Sequence, residues 1–269
     1  MKDVAEKLLV IAKEILANRD YDEVLKRVRK VLSGFSYTEK TLGKLDDGEM
    51  KIFVPKNAGN KKRVLFIAGM HGEEPGGVWG VVSFLENHSE LLKDVAVTVV
   101  PVVNVHGFVS GERLGETGAH TNWFLTEDRQ WKDMGKEARI LKDNLELLGW
   151  AARDGLVDAH EDATSEGFYL YILGDIKCKT VVEMKKTGLK FFDFKRDNHY
   201  SDNGEYDLVD GIVDNYKDGS FDDAMVMKFG IPLAITIETP TRGADVEKRA
   251  KACGDMTAVF VKGIRDEEI

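Results

Sequence analysis

His71-Gly72-Glu73-Glu74 closes the apolar run Val64-Leu65-Phe66-Ile67-Ala68, setting an imidazole and a carboxylate three residues apart where a buried strand opens into a turn. Neutral imidazole nitrogen and carboxylate oxygen both ligate zinc, and a strand end holds two such ligands more rigidly than a free loop. A second apolar approach, Val157-Asp158-Ala159-His160-Glu161, also ends in histidine. A third, Ile235-Thr236-Ile237-Glu238-Thr239-Pro240, delivers one acidic side chain. His71, Glu74 and His160 as three protein ligands leave one coordination position open, the arrangement of a catalytic rather than a structural zinc. Glu238, a carboxylate near such a centre in a partly dry cleft, is suited to act as base and then as acid. Plainer readings stand beside these. Glu73 and Glu74 also fit as caps for a helix starting near Pro75. His160 fits as a satisfied core histidine, and Glu238 as a charge meeting solvent at a strand end.

These residues need a frame that brings three distant segments together. Lys51–Val54, Arg63–Ala68 and Val95–Val103 read as strands, and residues 76–85 carry Val78, Val81, Val82 and Leu85 at helical spacing. Strand, turn, helix, strand is the grammar of a parallel crossover. Glu137–Leu148 repeats the helical period, Gly155–Asp158 enters another strand, Pro232–Ile237 is the last buried strand, and Val246–Ile264 a closing helix. In open α/β sheets ligands collect at the carboxyl edges of strands. His71, Asn104, His160 and Glu238 all follow apolar strand runs, so one crevice is expected to hold them. Val4, Leu8, Ile11 and Ile15, then Val24, Val28, Val31 and Leu32, form two amphipathic stretches. They predict a helical N-terminal extension over residues 1–46, packed on a main domain of residues 47–269. Residues 195–223, rich in Asp, Asn and Gly, read as an irregular segment bordering the site.

A chain of 269 residues with 43% hydrophobic content can bury a substantial core. The net charge of −9 argues against a nucleic-acid surface, which needs a basic stripe. Cys178 and Cys253 form no Cys-x-x-Cys pair, so neither a disulfide framework nor a cysteine zinc site is expected. No apolar segment approaches the roughly 20 residues that span a bilayer. The start Met1-Lys2-Asp3-Val4-Ala5-Glu6-Lys7 does not read as a secretory leader, and the expected location is cytoplasmic, with no membrane partner.

In order and context, His71-x-x-Glu74, Val157-Asp158-Ala159-His160-Glu161 and Ile235-Thr236-Ile237-Glu238-Thr239 resemble the M14 zinc carboxypeptidases and their succinylglutamate desuccinylase/aspartoacylase relatives, over about residues 50 to 262. The resemblance implies one zinc ion on His71, Glu74 and His160, with Glu238 as general base and acid. It also implies a mixed, largely parallel, twisted eight-stranded sheet flanked by helices. Arg113 stands where the family arginine polarises the scissile carbonyl, and Asn122 matches the substrate-binding asparagine. The family stretch Gly-x-Asp-Leu-Asn-Arg is Gly118-Ala119-His120-Thr121-Asn122-Trp123 here. Tryptophan cannot replace the charge of an arginine that clamps a carboxylate in bidentate fashion. Trp123 reads as core filling or as a pocket wall, and Arg242 as a substitute cation or a surface arginine. His120 reads as a substrate contact or an extra ligand. Tyr169, Tyr171, Tyr200, Tyr206 and Tyr216 are candidates for a substrate-facing tyrosine, with Tyr169 first. The implied activity is zinc-dependent cleavage of an amide bond in a peptide. The alternatives are N-acyl amino acid deacylation and a non-catalytic metal-binding relative. The implied partner is a peptide or a small molecule.

Overall fold

The computed structural model describes residues 18–122, 134–196, 199–201, 204–214 and 216–269. The Asp20 side chain accepts the Glu23 N–H and so starts helix α1 (Tyr21–Leu32), whose Val24, Leu25, Val28 and Leu32 share one buried face. Strands β1 (Tyr37–Leu45) and β2 (Gly48–Pro55) pair antiparallel. Then come β3 (Arg63–Ala68), α2 (Pro75–His88), a 3₁₀ turn at Ser89–Lys93, β4 (Ala96–Val100) and the short α3 (Val105–Ser110). Helices α4 (Lys136–Asp143) and α5 (Leu145–Ala151) lead into β5 (Gly155–Asp162) and β6 (Tyr169–Leu173). The chain continues through α6 (Lys179–Gly188), the hairpin β7 (His199–Ser201) and β8 (Gly204–Tyr206), and β9 (Ile212–Asp214). It closes with α7 (Phe221–Phe229), β10 (Ala234–Pro240) and α8 (Val246–Arg265).

Eight strands form one mixed sheet in the order β1-β2-β4-β3-β5-β10-β6-β9. The inner strands β4, β3, β5 and β10 run parallel to one another, while β2 and β6 flank them antiparallel. Both faces are covered, so β3 and β4 bury nearly every residue and carry continuous apolar runs rather than an alternation. One face packs on α1, α2, α6 and α8 through residues such as Phe66, Val157 and Ile235. The other packs on α4, α5 and α7 through Leu65, Ile67, Leu156 and Ala234.

Strand register decides which polar side chains meet. On β5 and β10, His160 pairs with Glu238, and Glu238 pairs in turn with Tyr169 on β6. Side chains alternate along a strand, so this row and the row two residues earlier, Asp158-Thr236-Tyr171, share one face. Glu161 turns to the opposite face, toward α2 and α8.

The expected eight-stranded mixed sheet is present. Three expectations are corrected. The helical reading of residues 1–46 holds for α1, but Tyr37–Leu45 is the edge strand β1, and the boundary drawn at 46/47 falls in the turn between two paired strands. The first amphipathic stretch, Val4 to Ile15, lies outside the described residues. As an edge strand, β1 fully buries only Leu45, so its sequence lacks the alternation that signals a half-buried strand. The single helix expected over 137–148 is broken at Asn144, whose side chain donates to the Leu42 and Ile140 carbonyls. Within 195–223, Ile212–Asp214 adds to the sheet beside β6, because Ile212 and Val213 are buried there.

Candidate metal centre and active-site cavity

His71 and Glu74 come from the turn after β3, and His160 from the end of β5. The His71 and His160 rings lie 4.8 Å apart between centroids, inclined at 70°. Each presents Nδ1 to a different oxygen of Glu74: His71 at 2.6 Å from Oε1 and His160 at 2.9 Å from Oε2. One ligand atom from each of the three lies within 4.8 Å of the others, and all three side chains are buried. Among the described residues this is the one such grouping of His, Cys, Asp and Glu.

The donor chemistry fits a divalent ion. Burial pushes the His71 pKa down, despite the opposing pull of Glu74, so this ring favours the neutral form that a metal needs. Burial alone would lower His160 too, but Asp158 and Glu74 on either side raise it well above the ordinary value. The positive charge these two carboxylates favour on the ring is one that a cation at Nδ1 can supply instead of a proton. Asp158 Oδ2 stands 3.3 Å from His160 Nε2, behind the ring, where a carboxylate orients a ligating histidine. Two nitrogens and one carboxylate, all buried and backed in this way, are a zinc-type donor set.

The turn carrying His71 is tightly built. A Cβ on Gly72 would lie 1.9 Å from the Gly107 carbonyl carbon, so the turn and α3 touch backbone to backbone. Thr121 donates its hydroxyl to the Met70 carbonyl just ahead of His71. The capping reading of Glu74 does not hold, since its side chain makes no cap hydrogen bond to α2. Glu161 serves the helix instead: Oε2 accepts the Gly76 N–H at 2.7 Å, and Oε1 pairs with Arg249 Nη1 of α8 at 3.1 Å. Gly76 must be glycine there, because a Cβ would sit 2.0 Å from Glu161 Oε1.

A cavity of about 310 Å³ opens over the centre. Glu238 lines it beside His160, partly buried. Burial raises the Glu238 pKa well above the carboxylate norm, with Glu74 and Asp162 adding to the rise and His160 and Arg113 opposing it. Arg113 lines the cavity too, its Nη1 3.0 Å from Glu73 Oε1 and 3.3 Å from Glu74 Oε1. Burial lowers the Arg113 pKa, but Glu74 and Glu73 more than offset this and hold it charged. Asn122 is at the wall, its Oδ1 accepting the Phe221 N–H at 3.1 Å, and His120 is at the wall as well. Tyr169 lines the cavity and donates to Asp162 Oδ2 at 3.1 Å. Tyr171 and Tyr216 join it, their rings 4.9 Å apart. Arg242 is exposed and does not line the cavity. Trp123 lies outside the described residues.

The far wall was not legible in the sequence. Asp218, Ser220 and Asp222 come from the segment read as irregular. The buried Asp222 carboxylate accepts hydrogen bonds from the hydroxyls of Tyr216, Ser220 and Thr236. Only the spacing of Thr236, two residues before Glu238 on one strand, gave a signal for that contact. Asp158, two residues before His160, carried the same kind of signal.

No family model matches the chain, and no curated protein matches it in sequence. Solved structures do. The "putative metallopeptidase" from Shewanella amazonensis SB2B superposes with a TM-score of 0.83 at 26% identity, covering 92% of this chain and 94% of that one. The "putative metallopeptidase" from Shewanella baltica OS155 gives 0.82 at 25% identity, covering 91% and 92%. The metallo-carboxypeptidase from Burkholderia cenocepacia shares the fold, with a TM-score of 0.66 at 17% identity over 92% of this chain and 70% of that one. The chain's structural neighbours thus carry metallopeptidase and metallo-carboxypeptidase names, consistent with the M14 zinc carboxypeptidase-like superfamily.

Proposed function

We propose that the chain is a zinc-dependent hydrolase that cleaves an amide bond of a peptide. The observation that carries this reading is the register of β5 and β10, which sets Glu238 beside His160 on the cavity face. His71, Glu74 and His160 hold the ion, and Asp158 orients His160. A bound zinc ion supplies Lewis acidity, polarising the scissile carbonyl and making a nearby water acidic near neutral pH. Glu238 takes a proton from the attacking water as the new C–O bond forms. Arg113 donates hydrogen bonds to the carbonyl oxygen as negative charge gathers there. Glu238 then returns the proton to the leaving nitrogen as the C–N bond breaks. The raised pKa of Glu238 suits a group that must both accept and release a proton. Asn122 and Tyr169 line the cavity where they can orient the substrate.

A second reading, hydrolysis of a small acylated amino compound, is favoured by one feature. Arg113 is the one arginine or lysine among the described residues lining the cavity, and it faces Glu73 and Glu74. A substrate carboxylate therefore lacks a second cation on the wall, while Asp218 and Asp222 suit a neutral or amine-bearing end and Asp162 is already paired with Lys195 Nζ at 2.7 Å.

The test uses zinc-loaded protein, a panel of peptides and N-acyl amino compounds, and mass spectrometry of the products. Glu238→Gln should keep its zinc and lose activity by about 10²–10⁴-fold, the usual contribution of a general base. Retention of most of the activity overturns the role of Glu238. Absence of any amide hydrolysis by the wild type overturns the proposal itself.

A further inference from the structure

Arg19 lies well upstream of every ligand, yet its guanidinium reaches the back of the metal-binding turn. Nη1 donates to the Gly72 carbonyl at 2.6 Å and to the Phe108 carbonyl at 3.2 Å, and Nη2 donates to the Glu73 carbonyl at 3.1 Å. The first and third of these acceptors are successive peptide carbonyls between His71 and Glu74. The second belongs to the last turn of α3, where a carbonyl without a helical partner favours a cation. One planar fork thus joins the ligand turn to the helix it touches, at the contact where Gly72 meets Gly107 with no side chain between them. The neighbouring residue is held as well, since the Asn18 carbonyl accepts the Trp79 indole N–H of α2 at 2.7 Å.

We propose that Arg19 is a positioning residue for the metal centre, fixing the peptide planes between His71 and Glu74 so that both ligands are preset for the ion. This rests on the metal-site reading above and adds the segment before α1 to the machinery. Glu74 is fixed from its side-chain end by the two histidines, and the turn is fixed from its backbone by Arg19. A lysine at 19 would keep the charge but could not present a planar fork to three carbonyls. Groups that support ligands in this indirect way typically change metal affinity by about 10–100-fold when removed.

The experiment measures zinc affinity of the full chain by competition with a chromophoric chelator, and records the visible spectrum of the cobalt(II) form. Wild type, R19A, R19K and R29A are compared, with melting of the metal-free proteins alongside. Arg29 ties α1 to β1 through Glu39, with contacts of 2.8 and 2.7 Å, away from the ligand turn. R19A and R19K are expected to bind zinc about 10–100-fold more weakly and to show an altered cobalt spectrum. R29A is expected to match the wild type in both. Affinities for R19A and R19K within twofold of wild type, with an unchanged cobalt spectrum, overturn the proposal even if their melting points fall. R19K decides by the same criterion should R19A fail to fold. A wild type that takes up no stoichiometric zinc overturns the metal reading itself, a result distinct from equal binding by all four proteins.

Discussion

Replacing Arg249 with methionine strips the buried Glu161 carboxylate of the cation it pairs with. Arg249 is 7% exposed and Glu161 is 3% exposed, with 3.1 Å between Nη1 and Oε1. Methionine keeps much of the volume against α2, so the loss is electrostatic rather than a cavity. What remains for Glu161 is the Gly76 N–H at 2.7 Å and the charge of Arg19. Breaking one side of a buried pair costs about 3–5 kcal/mol while the survivor stays charged. Burial already pushes the Glu161 pKa up to about 7, so this loss is expected in alkaline solution and shrinks at lower pH as the carboxylate takes up a proton. In a chain of 269 residues, each kcal/mol moves the melting temperature by about 2 °C, which gives a fall of about 6–10 °C. The assay is denaturant and thermal unfolding of the metal-free protein, run for Arg249→Met, Glu161→Gln and the double variant. Removing both charges should recover much of the single-variant loss, since a neutral side chain at 161 no longer needs a counter-ion. A loss below about 1 kcal/mol for Arg249→Met in alkaline solution would refute the reasoning, as would a double variant whose loss equals the sum of the singles.

Other perturbations follow from the same geometry. Gly72→Ala drives a Cβ into the Gly107 backbone, so it should cost at least about 1–3 kcal/mol and weaken zinc binding, read by unfolding and by elemental analysis. His160→Ala should lose the metal, as measured on purified protein. Zinc held at 100 times its dissociation constant should stabilise the wild type by about 2.7 kcal/mol, and a chelator should abolish that gain. Asp255 accepts from His88 Nε2 and Lys251 Nζ, both at 2.9 Å. Burial pushes its pKa up, but these partners hold it below the usual carboxylate range. A lowered folded value gives stability that is present at neutral pH and lost as the pH falls through it. Asp255→Asn should therefore cost about 0.2–1 kcal/mol at pH 7, screened by solvent, with the gap to wild type closing in acid.

The candidate site was legible where it coincided with strong local patterns. His71, His160 and Glu238 each end an apolar run, and a strand end facing a crevice is the expected destination for such residues. Glu74 was legible by its spacing from His71, although helix capping competed for it until its two oxygens were seen facing two imidazoles. Arg113, Asn122 and Tyr169 all line the cavity, whereas Arg242 faces solvent. What stayed hidden depends on contacts between distant segments. Glu161 looked like one more acid in a charged stretch, and only strand alternation together with Arg249, 88 positions later, gives it a structural task. Arg19 had no motif at all, because donation to backbone carbonyls leaves no constraint on the side chains it meets. The edge strand β1 escaped for a related reason: with little of it buried, hydrophobic periodicity had nothing to record.

The sheet order has a consequence for how such a protein can diversify. The three strands that carry or lead to the candidate metal ligands and Glu238, β3, β5 and β10, lie side by side, although 86 and 71 residues separate their ends along the chain. Those two long excursions furnish most of the cavity rim, including Arg113, Asn122 and Asp222. Insertions and replacements within them can remodel what enters while the three adjoining strands stay as they are. Apart from His71, Glu74 and Arg113, which the first excursion also carries, the rim can thus change at a different rate from the strand ends beneath it.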